Sequence, residues 1–373
     1  MNQIRVIIFF TKDMSLVGWD RSGILKREIA LYKRLGSKGY DISFITYGDN
    51  EDLNYINQLG GIKVLCNKWG LPKYLYNKYL HIIHRKHLKS CNIIKTNQMF
   101  GADIALKSAK LYDKPLINRM GYMWSDFTKQ ENGDFQEIIN YEENIFHNSD
   151  KIVVTTQEMY QSIVSRYKGL KNKISIIPNY VNTELFKPSD NFTKEFDILY
   201  IGRITHQKNI QGLLEALKNI NLKVLIIGNG DMKNGLIEQY GDLDGKIVWQ
   251  NNIPHNRLPG IMNKCLLYII PSFYEGHPKT LIEAMAAGMP VIGTDVPGIR
   301  EIIENRKNGM LCGTEAKNIK STIEKLLTNQ ILCKKLGQNA NKYAIQHFSL
   351  EKILDMELNL YNSLLENSQM VRL

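Results

Sequence analysis

Short apolar runs alternate with amphipathic segments through the first half of the chain. The runs have the length of buried strands, and the longer segments repeat apolar residues at helical spacing. Strands are predicted at residues 4–10, 41–46, 62–66, 92–96, 115–119 and 151–155, and helices at 22–38, 73–89, 100–111, 135–148 and 157–167. This alternation predicts a parallel, doubly wound sheet, so residues 1–178 are expected to form one α/β domain.

The second half repeats the same alternation after a polar turn at Pro178-Asn179. Strands are predicted at 196–201, 224–230 (with its glycine turn), 247–250, 265–270, 290–294 and 309–312, and helices at 209–217, 280–287, 315–328, 330–346 and 348–367. Residues 179–348 are therefore expected to form a second doubly wound domain. Residues 349–373 are expected to form a terminal helical segment.

Length and composition agree with two globular domains. The chain has 373 residues, of which 43% are hydrophobic and 23% are charged, and a domain holds roughly 150–200 residues. No apolar run approaches the ~18 residues of a membrane span, and the run at 4–10 is too short for a signal peptide. The five cysteines include no Cys-x-x-Cys pair, so buried thiols in a reducing cytoplasm are expected.

The net charge of +11 is concentrated in the first half, where residues 63–95 hold eight Lys or Arg, three His and no acid. Within it, residues 69–90 predict a basic amphipathic helix. Its apolar positions at helical spacing are Leu75, Tyr79, Ile82 and Ile83. Such a helix fits an anionic membrane surface, but it is also typical of a surface helix that packs on its own sheet. No nucleic-acid-binding motif is present, so nucleic acid is not an expected partner.

The loop within residues 265–301, which read as strand, loop, helix and strand, carries candidate chemistry. In open parallel sheets a ligand sits beyond the carboxyl ends of the strands, against helix N-termini. Glu275 in the loop and Glu283 on the helix can accept hydrogen bonds from hydroxyl groups. The backbone N–H groups of residues 279–281 suit a phosphate. Together they suggest a sugar nucleotide. The alternative is that Glu275 is a solvated loop residue and Glu283 a helix acid favoured by the macrodipole.

A pair of cations follows the predicted strand at 196–201, where Gly202-Arg203 ends the strand and Lys208 precedes the next helix. Cations beside a helix N-terminus make an anion site, although this pattern alone is weak because exposed Arg and Lys are common. The loop at 11–23 contains glycines, but it does not match the G-x-G-x-x-G fingerprint. A dinucleotide site is therefore not expected.

The stretch from Glu275 to Glu301 resembles the nucleotide-sugar site of the family 4 retaining glycosyltransferases (glycosyl transferases group 1). The similarity rests on E-x7-E at Glu275 and Glu283, A-M-A-A-G at 284–288, P-V-I-G-T at 290–294 and P-G-I-R-E at 297–301. The resemblance implies the GT-B fold, in which two Rossmann-like parallel-sheet domains face each other across a cleft and a C-terminal helix crosses back to the N-terminal domain. It also implies that the N-terminal domain binds the acceptor and the C-terminal domain binds the nucleotide sugar.

The resemblance assigns roles to individual residues of the second half. Arg203 and Lys208 would stabilise charge on the departing diphosphate and Glu275 would support the sugar, and these three form the implied catalytic set. Glu283 would bind the ribose hydroxyls, and the backbone of residues 252–255 would read the edge of the base. The implied donor-binding residues are Gly202, Arg203, Lys208, Gly228, Ile253, Glu275, Gly276, His277, Lys279, Thr280, Leu281 and Glu283.

Acceptor contacts are implied for the loops after the first and fifth strands, at Gly18, Gly23, Arg119 and Tyr122. Members of the family often carry a Gly-Gly pair in the first loop and a His near the second. Here the glycines are separated and residues 88–146 contain no His. Arg119 can instead be a structural ion-pair residue.

No metal site is expected, because cationic groups can stabilise a diphosphate without a metal. The only Asp-x-Asp, at Asp242-Leu243-Asp244, precedes a predicted strand and reads as a surface turn. His277 is a weak candidate for a general base, and Glu142 is expected to be a surface acid. A pair of carboxylates facing each other across one bond, as glycoside hydrolases need, is not indicated.

The resemblance implies an enzyme that moves a hexose from a nucleoside diphosphate sugar to a glycan or lipid-linked acceptor, with retention of configuration. A UDP-sugar is the favoured co-substrate, a GDP-sugar is second, and no cofactor is expected. The implied setting is synthesis of bacterial surface polysaccharide, lipopolysaccharide or glycolipid, in the cytoplasm or on the inner face of the cell membrane. The alternatives are a GT-B synthase acting on a small soluble acceptor and a non-catalytic basic protein that binds a membrane or polyanion.

Overall fold

Two α/β units make up the chain. The computed structural model describes residues 3–131, 133–189, 191–243 and 245–370. Contacts divide the chain into a first unit of Met1–Pro178 with Ile353–Leu373 and a second unit of Asn179–Lys352. Each unit is built around its own parallel sheet.

The first unit contains a seven-stranded sheet. Its strands are β1 (Arg5–Phe9), β2 (Asp41–Ile45), β3 (Lys63–Leu65), β4 (Ile93–Thr96), β5 (Leu116–Arg119), β6 (Lys151–Val154) and β7 (Ile174–Ile176). The order across the sheet is β3-β2-β1-β4-β5-β6-β7, so the winding reverses between β1 and β4. The central strands are Val- and Ile-rich and buried, as is usual for a parallel sheet covered on both faces.

The helices of the first unit that precede the second unit in sequence lie between these strands. They are α1 (Leu16–Arg21), α2 (Leu25–Ser37), α3 (Lys73–Ile83), α4 (Arg85–Ser90), α5 (Ala102–Tyr112), α6 (Trp124–Gln130), α7 (Gln136–His147) and α8 (Gln157–Arg166). The helix predicted at 73–89 is divided in two at His84, whose backbone leaves the helical conformation. Helix α1 lies inside the segment 11–23, which was expected to be a loop.

The second unit contains a six-stranded sheet in the order β10-β9-β8-β11-β12-β13. The strands are β8 (Phe196–Ile201), β9 (Val224–Ile227), β10 (Ile247–Gln250), β11 (Cys265–Ile270), β12 (Val291–Thr294) and β13 (Met310–Cys312). The helices are α9 (Ile210–Leu217), α10 (Lys233–Gln239), α11 (Leu258–Asn263), α12 (Lys279–Ala286), α13 (Ala316–Leu327) and α14 (Gln330–Phe348). Two separate apolar clusters, one containing α12 and α14 and the other α9 and α13, form its core.

The last helix, α15 (Leu350–Met370), belongs to the first unit from Ile353 onward. A buried ion pair joins it to the first sheet, because the Lys95 ammonium on β4 lies 2.5 Å from both carboxylate oxygens of Glu357. The Tyr361 hydroxyl is 3.3 Å from the same ammonium. The expected C-terminal helix that packs on the N-terminal domain is therefore present.

The long strands and helices that the sequence predicts are confirmed to within a few residues. In α3, two of the apolar positions that the sequence singled out are exposed, and two other apolar positions are buried. Tyr76 and Leu80 of α3 are buried, whereas Tyr79 and Ile82 are 42% and 49% exposed. Both sets of positions fit the helical period, and the residues against which α3 packs determine which set is buried.

Candidate active site at the switch point of the second sheet

The predicted donor-binding residues converge where the winding of the second sheet reverses. Strands β8 and β11 are neighbours at this point, with Leu267 paired to Ile198. Gly202 follows β8, and the loop at 271–278 follows β11. Ligands of open parallel sheets bind outside the carboxyl ends of the strands at such a point.

Lys208 and Glu275 contact each other directly at this edge. The Lys208 ammonium lies 2.5 Å from Glu275 Oε1, and the Ser272 hydroxyl donates to the same oxygen at 2.7 Å. Both charged side chains are largely buried, so their mutual attraction offsets the desolvation of each charge. The structure thus brings together the cation predicted for the diphosphate and the carboxylate predicted for the sugar.

Arg203 is an exposed residue of the segment that follows β8 and also carries Lys208. Its guanidinium is 3.4 Å from Gln207 Oε1, and its carbonyl accepts a hydrogen bond from the Tyr200 hydroxyl at 2.7 Å. Gln207 in turn donates to the Tyr274 carbonyl at 2.9 Å. The loop that carries Arg203 is therefore tied to the loop that carries Glu275.

Two glycines allow backbone segments to meet at the site. A Cβ on Gly228 would overlap the Gly202 carbonyl oxygen, and its φ of 151° is one that side chains rarely adopt. A Cβ on Gly298, at φ 78°, would overlap the Gly276 carbonyl oxygen. Gly298 is therefore a functional candidate that the predicted site omits, although the P-G-I-R-E motif contains it.

Helix α12 begins at the loop with its N-terminus uncapped by a side chain. Pro278 at the N-cap position has no acceptor group in its side chain, so the first N–H groups remain suited to an anion. The Thr280 hydroxyl accepts from the Tyr268 hydroxyl at 2.7 Å. The Leu281 side chain is apolar and fully buried. Its backbone N–H is therefore the group through which Leu281 could bind an anion. Lys279 at the first position is half-buried.

Glu283 is held inside the second unit by a histidine. The carboxylate is only 1% exposed, and its Oε1 lies 2.8 Å from His255 Nε2. His255 stands in the turn after β10, next to the half-buried Ile253. From the sequence, this turn was expected to act through its backbone alone, so the His255 side chain was missed. The separation of 28 residues has no local pattern that could have revealed the contact.

His277 supports the loop through both its ring and its backbone. Its ring is buried and packs edge-to-face on Phe348, with centroids 5.1 Å apart. Its carbonyl accepts from Asn179 Nδ2 at 2.6 Å. These contacts fix the loop beneath the position expected for the sugar.

In the first unit, α1 uses its N-terminal amides internally. The Gly18 N–H donates to the Ser15 hydroxyl at 3.0 Å, and the Val17 N–H donates to the buried carboxylate of Asp52 at 3.1 Å. Gly23 adopts φ 73° between α1 and α2, which favours glycine. The predicted acceptor glycines thus have structural functions as well, and Asp52 positions the loop although no sequence pattern marked it.

Arg119 and Tyr122 lie in the same unit, at and after the end of β5. The Arg119 guanidinium donates to the Asn97 carbonyl at 3.1 Å, which links the ends of β4 and β5. The Tyr122 ring is 37% exposed and stacks on Phe127, with centroids 4.5 Å apart.

Glu142 is a buried residue, which corrects the expectation of a surface acid. Its carboxylate accepts from the N–H and hydroxyl of Ser125 at 3.0 and 2.7 Å and from the Tyr167 hydroxyl at 2.9 Å. Burial raises the pKa of Glu142, while these hydrogen bonds oppose the rise. The contacts anchor the start of α6, directly after the loop that carries Tyr122.

Within the described ranges, no group of three or more His, Cys, Asp or Glu is arranged to hold a metal ion. Asp244 of the Asp-x-Asp sequence lies outside the described residues, as does the side chain of Asp242. A search of the described helices finds none that is long and apolar enough to cross a membrane.

Two families match the chain. The family described as Glycosyl transferases group 1 matches residues 181–343, and the family described as Glycosyltransferase Family 4 matches residues 26–185. An uncharacterised glycosyltransferase of Methanocaldococcus jannaschii is 31% identical, over 55% of this chain and 57% of that protein.

Bacterial relatives include the capsular polysaccharide biosynthesis glycosyltransferase CapM of Staphylococcus aureus, 28% identical over 58% of this chain and 63% of that protein. Another is the UDP-Gal:alpha-D-GlcNAc-diphosphoundecaprenol alpha-1,3-galactosyltransferase of Escherichia coli, 28% identical over 59% of this chain and 60% of that protein. The matches thus span less than two thirds of each of these three relatives.

Solved structures with the same fold cover nearly the whole chain. Sucrose-phosphate synthase from Thermosynechococcus elongatus superposes with a TM-score of 0.82 at 18% identity, over 98% of this chain and 100% of that one. Anabaena HepE in complex with UDP-glucose superposes with a TM-score of 0.78 at 17% identity, over 96% and 99%. The expected GT-B fold is confirmed, and the chain belongs to the group 1 glycosyltransferases.

Proposed function

We propose that the chain is a retaining glycosyltransferase that moves a hexose from a nucleoside diphosphate sugar, a UDP-sugar first and a GDP-sugar second, to a glycan or lipid-linked acceptor. The observation that carries the proposal is the contact of Lys208 with Glu275 beside the uncapped N-terminus of α12. An ammonium, a carboxylate and the N–H groups of a helix start at one sheet edge are what a diphosphate joined to a sugar requires.

In this proposal the chain's main catalytic task is to stabilise negative charge on the departing diphosphate. Arg203, Lys208 and the first N–H groups of α12 would provide that stabilisation without a metal. When the diphosphate engages Lys208, the Glu275 oxygen that now accepts from Lys208 becomes available to sugar hydroxyls. The leaving phosphate and the acceptor hydroxyl would share the proton on one face of the sugar, so the step needs no protein base.

The names of relatives support the choice of substrates. The Escherichia coli relative takes a UDP-sugar and a diphosphoundecaprenol-linked acceptor, and the Staphylococcus aureus relative belongs to capsular polysaccharide synthesis. We therefore favour bacterial surface polysaccharide or glycolipid synthesis over a synthase acting on a small soluble acceptor. The first unit would bind the acceptor through the loops of Gly18, Gly23, Arg119 and Tyr122.

The experiment is to measure nucleotide release and sugar transfer from UDP- and GDP-hexoses, with lipid-linked oligosaccharides as acceptors and EDTA present. Lys208→Ala and Arg203→Ala should each lower kcat by about 10²-fold or more, the usual effect of losing one donor to a developing negative charge. Lys264→Ala is the matched control, because Lys264 also pairs with a glutamate, at 2.8 Å, but is 40% exposed.

Each outcome of this experiment bears on the proposal. A product with the anomeric configuration of the donor, formed in EDTA, would support a retaining reaction that is independent of metal. Near-normal turnover in either the Lys208 or the Arg203 variant would refute the donor-site assignment. Nucleotide binding without transfer to any acceptor would favour the non-catalytic alternative.

We also propose that an exposed basic face brings the first unit to an anionic membrane surface on its cytoplasmic side. Trp69 and Tyr74 are 53% and 69% exposed, and they join Tyr79 and Ile82 as exposed apolar side chains within one short segment. The exposed cations of this segment are Lys68, Lys73, Lys78, Arg85, Lys86 and Lys89. Aromatic residues interleaved with cations suit the interface of an anionic bilayer.

Sedimentation with vesicles tests this surface. The wild type should bind vesicles that contain phosphatidylglycerol and not vesicles of phosphatidylcholine alone, with affinity falling as salt rises. Tyr74→Ser with Lys78→Glu should weaken binding, whereas Ile331→Ser should not, because Ile331 is 84% exposed but lies in the second unit. Equal sedimentation with both vesicle types would refute the proposal.

A further inference from the structure

His255 stands between two parts of the second unit to which the proposed function gives different tasks. It is 6% exposed and follows Ile253, in the turn expected to read the edge of the base. Its Nε2 reaches Glu283 on α12, the carboxylate expected to bind the ribose, at 2.8 Å. A single side chain therefore connects the turn expected to contact the base with the carboxylate expected to contact the ribose.

The environment of Glu283 explains why a partner is needed there. The carboxylate is 1% exposed, and its helical neighbours Ile282 and Ala284 are fully buried in the apolar core. A buried carboxylate is costly unless it is paired and hydrogen-bonded. Without the hydrogen bond of His255, the side chain could rotate towards water, and that change would remove an acceptor of hydrogen bonds from this position.

The position of His255 is itself fixed by packing. Its ring contacts that of the fully buried Phe186, with centroids 5.0 Å apart. Pro254 precedes it and sets the start of the turn. The imidazole is thus held by groups other than Glu283, so it can impose an orientation on the carboxylate.

We infer that His255 is a positioning residue that orients Glu283 to accept the ribose hydroxyls of the nucleotide, an inference that rests on the proposed function. A carboxylate has about four acceptor sites on two oxygens. A hydrogen bond with His255 is therefore compatible with further hydrogen bonds from a ribose. The chain selects ribonucleotides over deoxyribonucleotides through this contact.

The test compares the affinities of UDP and 2′-deoxy-UDP, and of GDP and 2′-deoxy-GDP, by calorimetry. We expect the wild type to prefer the ribonucleotide by about tenfold or more, as is usual for a hydrogen bond to a charged group. In His255→Leu the preference should fall to about twofold or less. In His255→Gln, whose amide can donate in place of Nε2, much of the preference should return. For transfer, the Leu variant should raise the donor KM more than it lowers kcat.

His347→Leu provides the matched control. His347 also contacts an aromatic ring, that of Tyr343 at 4.3 Å, but its side chain is exposed on α14. This variant should keep the full preference for ribonucleotides. Thermal melts of all three variants report whether each is folded.

The outcomes separate this inference from the proposed function. If His255→Leu weakens both nucleotides equally and keeps their ratio, the residue is merely structural and the inference is wrong. A wild type that binds nucleoside diphosphates without preferring the ribonucleotide also overturns the inference, but it leaves the proposed function standing. A wild type that binds no nucleoside diphosphate overturns both.

Discussion

Glu357→Gln should destabilise the first unit by about 3–5 kcal/mol, because it leaves a buried ammonium without its counter-ion. The side chains of Lys95 and Glu357 are 0% and 1% exposed, and their charged atoms are 2.5 Å apart. The Tyr361 hydroxyl, at 3.3 Å from the ammonium, cannot replace a charge. With a urea dependence of about 2–3 kcal/mol per molar, the midpoint of unfolding should fall by about 1–2.5 M.

Tryptophan fluorescence in urea measures this loss selectively. Trp19, Trp69 and Trp124 lie in the first unit and Trp249 lies in the second, so the signal is dominated by the unit that carries the mutation. Glu143→Gln is the control on the same unit, because that carboxylate is 55% exposed and surface substitutions change stability by about 0.5 kcal/mol or less.

The pH dependence of the Glu357 variant has a definite sign. Burial lowers the pKa of Lys95, and the charge of Glu357 opposes that shift. Without Glu357 the buried amine loses its proton at a lower pH, whereas the unfolded chain keeps it up to about pH 10.4. The stability of the Glu357→Gln variant therefore rises with pH between these two values. Its loss of stability relative to the wild type should be smaller at pH 9 than at pH 6.

Two results would refute the reasoning about this pair. One is an unchanged urea midpoint in Glu357→Gln, which would mean that the ammonium finds water or another partner at no cost. The other concerns the double variant Lys95→Met/Glu357→Leu. It should recover most of the lost stability, because apolar side chains of similar volume can replace a buried ion pair, and a loss larger than that of the single variant would contradict this.

Two further substitutions test the packing at the site and the buried acid of the first unit. Gly228→Ala forces the new Cβ against the Gly202 carbonyl, so it should lower the melting temperature and weaken nucleotide binding. Gly235→Ala should do neither, because a Cβ at that position would meet no atom within 4 Å. If both substitutions changed the melting temperature and nucleotide binding equally, the packing argument for Gly228 would be wrong. Glu142→Gln removes a buried group whose pKa is raised. The wild type should therefore lose stability relative to this variant as pH rises from about 4.3. The same difference in melting temperature between the two proteins at pH 4.5 and at pH 7.5 would contradict this prediction.

The fold could be predicted because parallel strands buried on both faces leave long apolar runs in the sequence. The short helices α1 and α6 could not be predicted in the same way. Asp52 anchors the start of α1 and Glu142 the start of α6, across 35 and 17 residues of sequence. A buried carboxylate that holds a distant backbone amide leaves no periodic signal, so Glu142 looked like an ordinary surface acid.

The loops of the candidate site could be located from the sequence, but the contacts within them could not. Lys208 and Glu275 are 67 residues apart in the chain, and only the adjacency of β8 and β11 brings them together. His255 and Glu283 meet in the same way through the turn after β10. The resemblance to a family indicated which residue types matter, and the topology of the sheet determines which of them touch.

The central claim is that the second unit binds a nucleoside diphosphate through Lys208, Arg203 and the start of α12. Thermal shift of the wild type and of Lys208→Ala against UDP, GDP, ADP, uridine and guanosine, all in EDTA, tests it most directly. A ligand that binds only the folded state raises the melting temperature by mass action. At a ligand concentration of 100 times Kd, the free energy of unfolding rises by about 2.7 kcal/mol. We expect a rise with UDP or GDP in the wild type, little rise with the nucleosides, and a much smaller diphosphate effect in Lys208→Ala. No rise with any nucleotide, or the same rise in both proteins, would contradict the claim.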